Sequence, residues 1–332
     1  MTNLFGLRVA VGGAGVLGAA SALALARAGA SVILADPAPL GMNASGVAAG
    51  MLAPAFEAAL DPTAGDEFAL LREARDAWPQ FVAGLRNVAL FQDGARFEGN
   101  PDDVATVGAR LGDLGADYTF DGGGLFTSED WRLDPLQALT ALQEALHDLG
   151  GRRIHVPVES VMDQADLSVL ACGFEAAELA PELALLRPIK GQLIRFTPGE
   201  VDRGPVRRTR DGYLVPSALG AIVGATMEEG VRDLAIDASV SERLAALAGR
   251  LTPELAGRPY RASVGVRAAT PDGLPLVGPS VRERVLIAAG ARRNGWLLAP
   301  MIAAMVVAAA GGETSAQAQR FSPARFSRPE RR

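Results

Sequence analysis

Gly13, Gly15 and Gly18, followed by an acid at Asp36, are the residues of this 332-residue chain whose spacing most directly implies chemistry. The run Gly13-Ala14-Gly15-Val16-Leu17-Gly18 follows the apolar stretch Arg8-Val9-Ala10-Val11 and opens the Ala/Leu-rich segment Val16–Ala28, which stops at Gly29. In a strand–turn–helix unit the first glycine permits the tight turn and the second lets backbone approach a pyrophosphate. The third lets the helix close on the strand, and the helix N-terminus faces the anion. Asp36, with Pro37 behind it, closes a second apolar strand at Ser31–Ala35, where a carboxylate takes ribose hydroxyls. The unit predicts a dinucleotide, without choosing FAD over NAD.

Little else has the residue types for metal or acid–base work. Cys172 is the single cysteine and lies in an apolar run, where it is expected to be buried and inert. Of the two histidines, His147 is expected on the exposed side of a helix and His155 in a strand-like run. No disulfide within the chain, no metal site and no catalytic histidine are expected. The formal net charge of −6 argues against a nucleic-acid surface. The basic cluster Arg203–Arg210 reads as a solvated loop, and the RPERR end as an exposed tail.

The elements that must position the glycine turn follow from periodicity and breakers. Phe68–Leu85 has helical spacing, and residues 86–133 read as short strands between Gly and Asp turns. Asp134-Pro135 is an N-cap with proline in the first turn, opening the helix Leu136–Leu149. Leu167–Cys172 is a buried strand ended by Gly173. Strands are expected at Gly191–Phe196, Gly212–Val215, Ala221–Ala225 and Val285–Ala289, with a helix near Ser239–Leu251 and another at Trp296–Ala310. That last run is apolar for 15 residues, short of the roughly 20 a membrane span needs. With no signal peptide apparent, the expected setting is cytoplasmic, with no membrane partner.

Several segments in order resemble the D-amino-acid oxidase and glycine oxidase family of FAD-dependent amine oxidoreductases, over nearly the whole chain. After the glycine turn come Ser45-Gly46-Val47-Ala48-Ala49-Gly50-Met51-Leu52-Ala53-Pro54, then Gly212–Pro216 with Val223–Met227. Gly265–Gly278, around Arg267, and Gly290-Ala291-Arg292-Arg293-Asn294-Gly295-Trp296-Leu297-Leu298-Ala299-Pro300 complete the series. The resemblance implies an α/β (α+β) fold, a Rossmann-type FAD domain interleaved with a mixed-sheet substrate domain. Residues 1–60, 131–188 and 264–325 would form the first, 61–130 and 189–263 the second, and 326–332 the tail.

The resemblance also implies roles. FAD would be held by Gly13, Ala14, Gly15, Val16, Leu17, Gly18, Asp36, Pro37, Ser45, Ala48, Ala49, Gly50, Met51, Leu52, Gly173, Arg293, Asn294, Gly295, Trp296 and Leu297. The amides of Gly290–Gly295 at the start of the final helix would sit by the flavin pyrimidine oxygens. Arg267 and Tyr213 would hold the substrate carboxylate, a pairing that suits a planar guanidinium. Arg293 would be a second site arginine, with either Arg292 or Arg293 facing the pocket, and Met227 would line it. The reaction implied is oxidative deamination of D-amino acids by hydride transfer from Cα to flavin N5, with molecular oxygen as acceptor. Its products are an imino acid, then keto acid and ammonia, with hydrogen peroxide. Glycine oxidase of thiamine biosynthesis and a quinone-linked D-amino-acid dehydrogenase are the alternatives, and a homo-oligomer is left open. The segment Gly151–Gly173 is shorter than the family pattern, and without a long lid the pocket is expected to admit bulky side chains.

Overall fold

The computed structural model describes residues 2–174, 177–197, 204–217 and 220–326. A six-stranded sheet runs in the order Leu276–Pro279, Val285–Ala289, Leu167–Leu170, Arg8–Gly12, Ser31–Ala35, Arg152–Ile154. All its pairs are parallel except the first, which is antiparallel. Its central strands read as nearly continuous apolar runs because both faces are covered. Val11, Leu34, Val169 and Ile287 are fully buried between helices on either side. The chain supplies these strands from three separated segments, so the turns at residues 13–15, 36–38, 171–173 and 290–294 gather at one edge. That edge, beyond the carboxyl ends of the strands, is where open parallel sheets bind ligands.

The helices over this sheet are built from small residues, which lets them approach closely. Val16–Arg27 buries Ala19, Ala20, Ala22 and Leu23 against the final long helix, Gly295–Ala310. That helix is apolar all round because most of it, from Trp296 to Val306 apart from Ala304, is buried. No helix among the described residues is long and apolar enough to cross a membrane.

A nine-stranded sheet forms the second layer. Its spine, Arg187–Phe196, pairs along its whole length with Tyr260–Ala269 on one side. On the other it meets Gly220–Gly224 and Glu228–Glu229, followed outward by Gly212–Ser217, Val206–Thr209 and Ala95–Phe97. The alternation of a strand divides its residues between two faces. Ile194, Leu214 and Val223 pack under the helix Ala238–Leu251, while Arg208 and Tyr213, paired across neighbouring strands, point the other way.

Several expectations are corrected. The 86–133 region contains a fourteen-residue helix, Pro101–Leu114, capped by Asn100 and closed by Gly115 in the left-handed region. Phe68–Leu85 is two helices, Phe68–Asp76 and Trp78–Val82, with Pro79 near the start of the second; proline has no N–H to continue the first. Arg207 and Arg208 lie in the strand Val206–Thr209, not in a solvated loop, and Arg203 falls outside the described residues. Cys172 is half-buried, not buried. His155 follows the strand Arg152–Ile154 and is exposed, as is His147. Phe326 is half-buried at the end of a 3-10 turn, so the expected tail does not begin there; residues 327–332 fall outside the described residues.

Candidate active site

The glycine turn has the shape its spacing implies. Gly13 sits at φ +92°, where a side chain is strained, and a Cβ on it would also meet the Ala171 carbonyl at 2.5 Å. A Cβ on Gly18 would overlap the carbonyl oxygen of Gly13, so the third glycine is what lets the helix start against the turn. Asp36 braces the turn: its carboxylate accepts from Ala14 N at 2.6 Å and from Ala38 N at 2.8 Å. Each oxygen keeps acceptor capacity for a ribose hydroxyl. Pro37 is exposed, and Gly173 lies at φ +66° just past the strand Leu167–Leu170, beside the glycine turn.

Ser45 ties the turn to the rest of the site. Its hydroxyl accepts from Val16 N at 2.9 Å, and its carbonyl accepts from Trp296 Nε1 at 3.0 Å. Arg195 reaches from the second sheet to donate to the carbonyls of Val47 (2.6 Å) and Ala48 (3.1 Å), fixing the strip that leads to Met51. Trp78, not singled out from sequence, is fully buried and donates to the Trp296 carbonyl at 3.1 Å.

A cavity of about 290 Å³ opens beside this strip. Arg267, Tyr213, Met227 and Arg293 all line it, together with Ala48, Ala49, Gly50, Met51, Asn294 and Trp296. Val16, Leu52 and Leu297 have side chains in the core, leaving only their backbone to meet a cofactor. The turn carrying Arg293 is bonded to the strand carrying Arg267, Arg292 N donating to Ala268 O at 2.9 Å. The first amides of the Gly295–Ala310 helix have no intrahelical acceptor; the ladder begins with Leu298 N to Asn294 O.

The charges at the cavity differ in how they are matched. Arg293 Nε lies 3.0 Å from Glu57 Oε1 and its Nη1 3.6 Å from Asp61 Oδ2; the Glu57 carboxylate holds its pKa above the usual value. Arg292 is ion-paired with Asp61 and does not line the cavity. Burial works against ionisation of Asp61, yet Arg292, Thr63 N–H and Arg293 outweigh it and hold the carboxyl below its ordinary value. Arg208, 3% exposed, lies 3.6 Å from Glu57 Oε2. Arg267 has no carboxylate within ion-pair distance among the described residues. Its contacts are the Thr226 carbonyl at 3.4 Å and Met227 Sδ at 3.5 Å, and burial lowers its pKa. The guanidinium lies flat over Gly191, where any Cβ would displace it.

Sequence reasoning missed Glu57 and Arg208. Glu57 sits one turn into the helix Pro54–Leu60, whose first amides, Ala55 N and Phe56 N, donate to buried Asp130 at 2.8 and 3.2 Å. Burial pushes the Asp130 carboxyl up to about 6.

A family model described as FAD dependent oxidoreductase (DAO) matches residues 8–309. The chain belongs to that family. FAD is therefore the cofactor of the DAO chain, and its residues fit one. The glycine turn lies at the carboxyl edge of a parallel sheet with Asp36 beside it, and the N-terminus of the final helix lies next to that of Val16–Arg27, a Cβ on Gly295 meeting Val16 Cγ1 at 3.7 Å. Among curated relatives, the putative thiamine biosynthesis oxidoreductase ThiO of Rhizobium etli is 34% identical, covering 90% of this chain and 95% of its own length. The MnmC bifunctional protein of tRNA 5-methylaminomethyl-2-thiouridine biosynthesis from Caulobacter sp. strain K31 is 30% identical over 89% of the chain; the chain spans about half of that protein (53%). Glycine oxidase from Geobacillus kaustophilus has the same fold, with a TM-score of 0.81 at 23% identity, over 96% of this chain and 99% of that one.

Proposed function

We propose that this DAO-family chain oxidises small α-amino carboxylates, with glycine and short N-substituted glycines ahead of D-amino acids. The observation that carries the reading is Arg267, a guanidinium on the cavity wall with no carboxylate of its own among the described residues. A half-buried guanidinium that has lost much of its water favours an anionic partner, and a substrate carboxylate is the partner that suits its fork. Glycine moves ahead of D-amino acids because relatives named as ThiO and glycine oxidase align along nearly their full length.

In this reading Arg267 and the hydroxyl of Tyr213 hold the carboxylate, so the carbon bearing the amine is fixed against the strip Ala48–Met51. Met227 supplies an apolar wall. The amine reacts as the neutral base: its lone pair forms the C=N bond as hydride leaves Cα. FAD, when bound, supplies the two-electron acceptor, with dioxygen taking the pair to give hydrogen peroxide. The imino acid released is hydrolysed by water to a carbonyl acid and ammonia, or to the carbonyl acid and a primary amine when the substrate is an N-substituted glycine. The protein contributes position and charge, and the glycine-turn sheet and the nine-stranded sheet are read as the cofactor and substrate bodies.

The test is a peroxide assay of the purified yellow holoenzyme with glycine, sarcosine, D-alanine, L-alanine and ethylamine. Turnover of glycine or sarcosine and none of ethylamine is expected. Turnover of D-alanine alone would restore the D-amino-acid reading. Reduction by substrate without peroxide, but with a quinone dye, would point to a dehydrogenase.

A further inference from the structure

Around the cavity Glu57 faces Arg208 and Arg293, Asp61 faces Arg292 and Arg293, and Arg267 has no carboxylate within ion-pair distance among the described residues. Glu57 holds the centre of that arrangement. It is 5% exposed, lines the cavity, and spans the gap between walls that come from different sheets. One carboxylate oxygen faces Arg293 at 3.0 Å on the turn before the final helix; the other faces Arg208 at 3.6 Å on the strand Val206–Thr209. Neither contact is a hydrogen bond: Glu57 Oε1 is buried without a hydrogen-bond partner, and Arg208 Nη2 at 3.6 Å from Oε2 is beyond hydrogen-bond reach, its Nη1 being buried without a partner as well. The bridge is therefore held by charge, and a ligand anion of better geometry could take its place.

We propose that Glu57 is a specificity-determining residue that restricts this cavity to substrates carrying one negative charge. The proposal rests on the reading of Arg267 as the carboxylate anchor. While Glu57 is ionised, Arg208 and Arg293 are neutralised, and a second carboxylate entering beside them meets a like charge at close range. Replacing that charge with a neutral amide of the same shape converts the pair of guanidinia into an anion site. Substrates with a second acidic arm, such as iminodiacetate or D-aspartate, then become acceptable. Arg208 acts here through its charge on Glu57, and Tyr213 beside it keeps its contact with the first carboxylate.

The experiment compares wild-type and Glu57→Gln holoenzymes, titrated calorimetrically at fixed ionic strength with acetate and with malonate, neither of which is oxidised. The ratio of malonate to acetate affinity is expected to rise about tenfold or more in Glu57→Gln. The kcat/KM ratio of iminodiacetate to glycine should move the same way. An unchanged affinity ratio overturns the proposal. In the double variant Glu57→Gln/Arg208→Met the ratio should fall back toward the wild-type value; a ratio that stays high removes Arg208 from the argument and overturns the bridge. If Glu57→Gln does not fold, Arg208→Gln serves instead. It leaves Glu57 with one guanidinium fewer, so acetate should bind about threefold or more weakly, and unaltered acetate binding refutes the proposal. The anion titrations need no turnover. A wild-type enzyme inert toward glycine would remove the proposed reaction and leave the affinity ratio to decide the role of Glu57.

Discussion

Replacing Arg267 with methionine separates a binding role from a structural one. Methionine keeps most of the apolar stem and removes the charge. If the guanidinium holds the substrate carboxylate, the variant loses one side of a buried charge pair, a loss that costs about 3–5 kcal/mol in comparable settings. At about 1.4 kcal/mol per factor of ten, that is roughly two to three and a half orders of magnitude in affinity. The free protein should respond the other way. Arg267 has only two long contacts, to the Thr226 carbonyl and Met227 Sδ, and burial already works against its charge. Removing an uncompensated charge relieves its desolvation cost, so the melting temperature should hold or rise. The assay is a pair of measurements on the FAD-loaded proteins: thermal unfolding, and acetate titration by calorimetry. Acetate binding lost with stability retained supports the anchor. Acetate binding within threefold of wild type, or a clear drop in melting temperature, would refute the reasoning.

Three further outcomes follow from the geometry. Gly191→Ala puts a methyl where the Arg267 guanidinium lies; acetate affinity should fall about tenfold or more, with only a modest loss of stability, about 1–3 kcal/mol for local overpacking. Gly18→Ala forces the Gly13 carbonyl out of place, whereas a Cβ on Gly15 meets Ser45 Oγ at 3.1 Å and needs a smaller adjustment; unfolding by urea should show the first variant as the more destabilised. Asp130 is buried with a carboxyl raised to about 6, so it holds its proton more tightly folded than unfolded. Wild-type stability then loses an increment as pH rises from about 4 through 6, on the order of 2–3 kcal/mol in all. Asp130→Asn lacks that increment, so its stability relative to wild type should rise across this window; a difference constant from pH 4 to 7 would show that Asp130 is ionised throughout.

What was legible in the sequence is what is local. The glycine turn, Asp36 and the strands around them follow from short-range spacing, and Gly13 and Gly18 meet the backbone constraints assigned to them. The Pro101–Leu114 helix carried its own signal, an Asn-Pro-Asp-Asp start and apolar residues at Val104, Val107 and Leu111, but the surrounding glycines and aspartates read as turns. Arg292 and Arg293 are neighbours in the chain, and only the assembled structure separates them, Arg292 at positive φ pairing with Asp61 and Arg293 lining the cavity. The Glu57–Arg208 pair was illegible for a different reason. Its members lie in distant segments, and each looks ordinary alone, Glu57 in an alanine-rich helix and Arg208 in a basic cluster. Burial makes them functional candidates, and burial is a property of the assembled sheets.

The central claim is that a carboxylate anchored on Arg267 is what brings an amine to the flavin. Anaerobic mixing of the holoenzyme with glycine and, separately, with methylamine tests it most directly, with bleaching of the visible flavin band as the readout. Glycine should bleach the wild type, methylamine should bleach it little, and the glycine response should be lost in Arg267→Met. Equal bleaching by both amines, or a glycine response that survives in Arg267→Met, would contradict it.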